Sequence, residues 1–335
     1  MKPLAWLGLL AAALVSAPFW LGGDYYVNLA SQILIAALFA LSLNLLVGYA
    51  GLVSLGHAGY LGLSAYTSAW LVLNLQWGHL AAALGALGVT GLMAALFGLV
   101  ALRASGLSFL MITLALGQVL WGLAYRWASV TGGDNGLSGL TRPMPFGFDL
   151  NDARAFYWFA LLVFALVLAL VHTLARSPFG ATIRGTRDQP RRMSTLGYDV
   201  WRIRWLAFTA SGFLGGVAGL IYVYYQQFIS PHSLSLAGSA EMLLMVIAGG
   251  PGTLAGPVAG AALVVLLKNV ASAYIDRWTM LLGVVFVLIV MFVPGGIVPG
   301  LQRLWNRVRA RLPRLARVES NAALAADPIG LEKAP

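Results

Sequence analysis

Side chains that could do covalent or metal chemistry are scarce in this sequence. Among its 335 residues there is no cysteine, and none of the four histidines forms an H-x-x-x-H pair, so thiolate catalysis, disulfides and a histidine-based metal centre are not expected. The three lysines, Lys2, Lys268 and Lys333, exclude a G-x-x-x-x-G-K phosphate loop. No nucleophile, base and orienting group stand out as a set. The sequence therefore predicts neither an enzyme nor a bound metal or cofactor.

The remaining polar groups of interest lie within or beside apolar segments, and they are candidates for a translocation path. They are Asn44, Tyr49, Ser54, His57 and Glu241. Each has a structural alternative. Asn44 is expected to join helices by side-chain hydrogen bonds, and His57 either contacts a substrate or is a structural hydrogen-bonding group in a glycine-rich turn. Glu241 either caps a helix start or lines an aqueous path, because burying a carboxylate is costly.

The densest charge lies between Arg176 and Arg204, with apolar runs of about twenty residues on both sides. A polybasic loop between two membrane spans is expected on the cytoplasmic side. Proline and glycine divide this loop into two helix-compatible pieces, residues 179–189 and 191–196. A loop that only sets topology needs no such design, so we interpret it as a docking surface for a cytoplasmic partner.

The composition is that of a membrane protein. The chain is 60% hydrophobic and 10% charged, whereas soluble domains are roughly 45–50% apolar and 25% charged. The net charge of +10 does not indicate nucleic acid binding, because the arginines lie where membrane topology requires them. About ten apolar segments approach the ~20 residues that a spanning helix needs. They are residues 4–21, 27–47, 57–75, 80–102, 107–126, 155–175, 205–225, 240–250, 253–270 and 278–293.

These segments predict an all-α polytopic membrane helix bundle over residues 1–300, with both chain termini in the cytoplasm. Arginine asymmetry places residues 127–154 outside, and it places the Arg176–Arg204 loop and the basic, partly disordered tail 301–335 inside. An even number of crossings follows, so the short eighth segment and the ninth must go down and back as a pair. An alternative left open is that residues 1–17 form a signal peptide.

Two glycine-rich stretches, residues 47–51 and 248–252, interrupt apolar segments. Irregular backbone at membrane depth requires protein or water around it, and paired broken segments point to a transport pathway. The similarity of the two stretches is too short to establish two related halves. Glycines at four-residue spacing predict close helix packing rather than a pore lining. They are Gly212, Gly216, Gly252, Gly256 and Gly260.

An ordered series of motifs resembles permease subunits of ABC importers for branched-chain amino acids, and the LivM type more than the LivH type. The series covers nearly all of residues 25–300. It comprises LNLLVGYAGLVSLGHAGYLGLSAY at 43–66, GLSFLMITLALGQ at 106–118, TGGDNGL at 131–137, SPFGxxIRxxRD at 177–188, LGYDV at 196–200 and EMLLMVIAGGPGTLAGP at 241–257.

The resemblance implies a subunit of the bacterial inner membrane that imports leucine, isoleucine and valine without covalent chemistry. Its implied partners are a second homologous permease, two cytoplasmic ATPases, a periplasmic binding protein and membrane lipid, with no nucleic acid. The loop corresponding to Ser177–Gly197 carries the coupling element in that family, and Thr131–Asp152 would face the binding protein. The implied ATPase contacts are Arg184, Arg187, Asp188, Arg191 and Arg192.

Two other functions stay open on the sequence. A permease for urea or short-chain amides would use the same scaffold. A stand-alone ion-coupled transporter would need a charged coupling site at mid-depth, and Glu241, near a segment edge, is the only candidate.

Overall fold

The computed structural model describes residues 15–16, 18, 22–144, 149–274, 278–293, 295–301 and 303, and this part of the chain is mainly helical. Eleven helices of six or more residues carry the fold. They are α1 (Asp24–Asn44, continued by a π-helical turn, Leu45–Tyr49), α2 (His57–Leu75), α3 (His79–Ala101), α4 (Leu107–Arg126), α5 (Ala153–Arg176), α6 (Pro178–Asp188), α7 (Pro190–Thr195), α8 (Val200–Gln226), α9 (Leu236–Gly249), α10 (Ala255–Tyr274) and α11 (Trp278–Phe292).

In the described part of the chain, six helical stretches are long and apolar enough to cross a membrane, which confirms a polytopic helical membrane protein. They are Asp24–Tyr49, α3, α4, α5, α8 and α10. The predicted number of about ten segments is not confirmed. Helices α2, α9 and α11 coincide with predicted segments but are not among the six. Most of the first predicted segment and of the signal-peptide alternative, and nearly all of the basic tail, lie outside the described residues.

Helices α1 and α8 form the centre of the bundle. In the most apolar stretches of Asp24–Tyr49 and of α8, 72% and 67% of the residues are buried, against 22% for α3 and 28% for α4. The two pairs of helices are similarly apolar although their buried fractions differ. The exposed surfaces of α3 and α4 are therefore not suited to contact with water. The exposed leucines of α3 and α4 suit hydrocarbon, whereas the central helices pack on protein.

Small residues allow α8 to approach its neighbours closely. Gly212 and Gly216 lie against Ala94 and Thr90 of α3, and a Cβ at Gly219 would collide with the backbone of Leu61 in α2. Van der Waals contact of this kind replaces the hydrophobic effect, which does not operate between helices in lipid.

Helix α8 has 27 residues and is about 40 Å long. Different segments lie at its two ends. At one end, α5 leads through α6 and α7 into α8; we call this the basic end. At the other, β1 (Leu137–Ser138) pairs antiparallel with β2 (Phe228–Ile229) just after α8; we call this the strand end.

Candidate functional site

The first interruption of the membrane helices follows α1. Helix α1 widens into the π-helical turn Leu45–Tyr49, and the amide of Leu52 then donates to the carbonyl of Leu46 at 3.0 Å. Gly51 has φ +70°, a conformation that disfavours side chains. The chain stays non-helical until His57. We call Leu45–Gly56 the first break, and π-helical turns of this kind are frequent at functional sites.

The second interruption separates α9 from α10. Helix α9 ends at Gly249, and Gly250 and Gly252 have φ of +118° and +79°. The hydroxyl of Thr253 donates to the carbonyl of Gly250 at 2.9 Å and accepts from the amide of Gly256 at 3.0 Å. These bonds satisfy backbone groups that no helix pairs. We call Gly250–Leu254 the second break.

The two breaks touch, and Asn44 joins them. Its Oδ1 accepts from the amide of Gly252 at 2.9 Å, and its Nδ2 donates to the carbonyl of Thr253 at 2.9 Å. Any side chain at Gly48 would collide with the backbone of Gly252. Asn44 is fully buried. Its amide therefore holds the breaks together, which is the structural alternative that the sequence offered.

One side chain of the Arg176–Arg204 loop, that of Arg187, is hydrogen-bonded to the first break. Arg187 Nη1 donates to the carbonyl of Gly48 at 2.6 Å, and the stem of Arg187 lies against Gly51. Arg187 also pairs with its neighbour Asp188 at 2.8 Å. Nothing in the sequence connects Arg187 with a segment 139 positions away; only the fold brings them together.

The other predicted coupling residues fall into two groups. Arg184 Nη1 donates to the carbonyl of Ala175 at 2.7 Å and so caps the end of α5. The expectation that Arg184 contacts an ATPase stays a prediction. Arg191 and Arg192 are exposed on α7. Pro190 begins α7, so the two predicted helical pieces are present as α6 and α7.

Three of the predicted path residues are buried inside this chain. Tyr49, Ser54 and His57 are 6%, 1% and 1% exposed. His57 Nε2 lies 2.9 Å from the hydroxyl of Ser42, with its ring stacked on Phe39. Together with Asn44, these residues form the packed surroundings of the first break, and none of them reaches an open surface.

The helix after the first break begins inside the bundle. Gly56 packs against Gly117, halfway along α4, and the amide of Ala58 donates to the hydroxyl of Ser239 in the first turn of α9 at 3.1 Å. Helices α2 and α9 therefore both begin partway along the bundle, and α9 runs from there to the second break.

Glu241 does not open a helix, which corrects the capping interpretation. Helix α9 begins at Leu236, and the cap is Ser235, whose side chain accepts from the amide of Gly238. Glu241 lies in the second turn and pairs with Lys268 of α10 at 3.5 Å. The Glu241 side chain is 24% exposed, so it reaches the surface of this chain within the membrane-embedded part. Sequence reasoning missed Lys268 as its partner.

The glycines of the last segments pack α9 against α10, with one correction. Side chains at Gly256 and Gly260 would collide with the backbone carbonyls of Gly250 and Met245. Gly252 does not lie on their helical face, because α10 begins only at Ala255. It belongs to the second break instead.

Arg142, which sequence reasoning also missed, organises the strand end. Its guanidinium donates to the carbonyls of Tyr224, Tyr225 and Leu150 at 3.1, 2.9 and 3.0 Å, and it lies over the ring of Phe156. Burial lowers the pKa of Arg142, while Tyr225 and Asp149 act in the opposite direction.

Within the described ranges, no group of three or more histidine, aspartate or glutamate side chains could hold a metal ion. The arrangement contains broken helices in contact, a basic loop attached to one of them, and a surface ion pair.

Comparison with known proteins identifies relatives. The profile of a family described as branched-chain amino acid transport system / permease component matches residues 25–293. The chain is 31% identical over 322 residues to the high-affinity branched-chain amino acid transport system permease protein LivM of Escherichia coli (strain K12), covering 87% of this chain and 74% of the relative. The Salmonella typhimurium (strain LT2) LivM protein is 30% identical over 303 residues, with 82% and 70% covered.

A more distant relative is the permease protein LivH of Escherichia coli (strain K12), which is 23% identical over 283 residues, with 78% of this chain and 90% of the relative covered. No solved structure matches the chain at a significant level.

Proposed function

The chain belongs to the branched-chain amino acid permease family, as a LivM-type member, and from this premise we propose that it serves an ATP-driven importer of leucine, isoleucine and valine. It is a multi-pass, non-enzymatic transport subunit. In the proposal, it pairs with a LivH-type permease, two ATPases power the pair, and a periplasmic binding protein delivers the substrate. The observation that carries the proposal is the family match over the whole bundle, together with a basic loop attached to a membrane break.

The proposed orientation puts the basic end in the cytoplasm of a bacterium and the membrane part in its inner membrane. The Arg176–Arg204 loop supports this orientation through the excess of positive charge expected on that side. Exposed aromatic residues lie where interfacial belts are expected. They are Tyr25, Tyr26, Trp77 and Trp127 toward the strand end and Trp201 at the basic end. Residues 127–154 then face the binding protein.

A reporter that is active only in the periplasm tests this orientation. Fused near Asn135 it should be active, and fused after Arg192 or Arg317 it should be silent. Activity at Arg192 would reverse the assignment of the two ends.

The proposed docking surface for the ATPases consists of the exposed side chains of α7 and the start of α8. Basic groups at Arg191, Arg192 and Arg202 lie beside Leu196 and Tyr198, which are 65% and 47% exposed. Aromatic and arginine side chains are enriched in protein interfaces, and the charge fits an acidic partner surface. Asp188 lies at the edge of this surface, whereas the guanidinium of Arg187 is bonded to Gly48 and is not part of it.

The proposed transport mechanism is alternating access without covalent steps. Four of the predicted path residues are buried in this chain, so Glu241 is the one that can line a path shared with the companion permease. A charged pair within the membrane part, exposed on one chain, is expected to face a water-filled cavity or a protein partner.

Uptake by the reconstituted importer tests the function. Vesicles containing both permeases, the ATPases and the binding protein should accumulate labelled leucine only when ATP is supplied. Urea or acetamide uptake without leucine uptake would favour the amide permease, and leucine uptake driven by an ion gradient without ATP would favour a secondary transporter. Either result would contradict the proposal.

A further inference from the structure

We propose that Arg187 and Asn44 form a latch that holds the two breaks closed until α6 moves. In this proposal Arg187 is a positioning residue, which transmits the motion of α6 to the membrane part and does not bind the ATPase itself. The inference rests on the proposed function, because it needs an ATP-driven partner that displaces the loop.

The bond from Arg187 ends at the π-helical turn that continues α1. The carbonyl of Gly48 lies in the π-helical turn, where the amide of Leu52 bonds to Leu46 and not to Gly48. The arginine supplies a donor to this carbonyl at 2.6 Å. Its stem occupies the space beside Gly51, where any side chain would collide with it. A charge-assisted bond to an otherwise unsatisfied carbonyl is among the stronger single bonds of a protein.

The Asn44 amide extends the connection to the second break. Its two bonds, to Gly252 and Thr253, are both 2.9 Å long. The backbones of Gly48 and Gly252 touch beside the Asn44 amide. Three segments that are far apart in the sequence, namely α6, the first break and the second break, are thus linked in series by two side chains.

Other arginines of the loop make bonds of a different kind. Arg184 bonds to α5, and Arg204 Nη2 bonds to the carbonyl of Thr186 in α6 at 2.9 Å. These bonds tie α6 to α5 and α8, the two membrane helices that flank the loop in the sequence. The bond from Arg187 to Gly48 crosses from the loop to the first break, so displacement of α6 must break or pull it.

The latch predicts a specific defect in the assembled importer. Arg187→Ala should keep the ATPases bound and hydrolysing ATP, because the exposed docking residues are unchanged. Leucine transported per ATP should fall about ten- to 100-fold, the range for loss of a charge-assisted hydrogen bond. Arg187→Lys keeps the charge and one donor, so it should recover part of this ratio.

A labelling experiment follows the second break directly, with Arg187 present and then replaced. The chain has no cysteine, so Thr253→Cys places a single thiol in the second break of this subunit. In the assembled importer, ATP turnover should increase its reaction with a water-soluble maleimide. In an Arg187→Ala background, ATP should no longer change the labelling rate.

The possible failures are distinguishable. A normal ratio of leucine to ATP in Arg187→Ala, or labelling of Thr253→Cys that ignores ATP in an actively transporting importer, would overturn the latch alone. Absence of ATP-dependent uptake by the unaltered importer would overturn the proposed function beneath it.

Discussion

The two ends of this permease each use an arginine to tie a connecting segment to the bundle, and the two arginines do so differently. Arg142 at the strand end donates to carbonyls of α8 and of the segment before α5, lies over Phe156, and is supported by the β1–β2 pair. Arg187 at the basic end donates to one bundle carbonyl, that of Gly48.

From this difference we infer which end of the bundle is rigid and which end moves. The bonds of Arg142 must break together for the strand end to move, whereas Arg187 contributes one bond between α6 and the first break, in addition to the bonds of Arg184 and Arg204 that hold α6 to α5 and α8. We therefore interpret the strand end as a fixed platform and the basic end as the part that responds to a partner.

The largest expected effect concerns the packing of α9 on α10, on which the basic end depends. Gly256→Leu should abolish assembly, because the added side chain meets the backbone of Gly250, and the cost should exceed the ~1–3 kcal/mol of ordinary overpacking. Gly88→Leu in α3 is the matched control, since its side chain enters open space. Gel filtration of the purified complex is the measurement, and normal assembly of Gly256→Leu would show that this face is not a packing face.

The next effect tests the rigidity of the strand end. Arg142→Met should destabilise the subunit by about 2–3 kcal/mol, since several carbonyls lose a charged donor. Arg154→Met, which removes an exposed arginine nearby, should change little. Thermal unfolding in detergent compares the two, and equal midpoints would mean that Arg142 is not an anchor.

A smaller effect is expected at the surface ion pair. Glu241→Gln should lower leucine uptake by about three- to tenfold, a range near that of a partly exposed ion pair, with expression unchanged. If the pair is only structural, the swap Glu241→Lys with Lys268→Glu should restore uptake fully. If Glu241 lines the path, the swapped variant should express normally but its uptake should stay low. Uptake equal to wild type in Glu241→Gln would remove it from the path.

The sequence predicts the helices well because apolar length and breakers are local signals. Residues 57–75 and 107–126 coincide with α2 and α4, since glycine precedes each helix and the chain turns polar after each. Glu241 was misjudged because the apolar run begins there, whereas the helix begins five residues earlier, after the serine cap at Ser235.

The site itself could not be predicted, because its bonds join distant parts of the chain. Asn44 and Gly252 are 208 positions apart, and Arg187 and Gly48 are 139 apart. The local sequence does not show whether an arginine of a basic loop contacts a partner, as proposed for Arg191, or bonds to another part of the same chain, as Arg187 does. That distinction depends on how the loop folds back onto the bundle.

The most direct test of the account is whether the basic end, and not the strand end, holds the ATPases. The variant Arg191→Glu, Arg192→Glu reverses two exposed charges while leaving Arg187 and its bond intact, and the other loop arginines preserve orientation. Its matched control is Arg154→Glu at the strand end. Both should insert and express normally. Co-purification of the ATPases should fall about tenfold or more in the double variant, because a charge contact with a partner is reversed, and should be unchanged in the control. Full retention of the ATPases by the double variant, with normal leucine transport, would contradict the account.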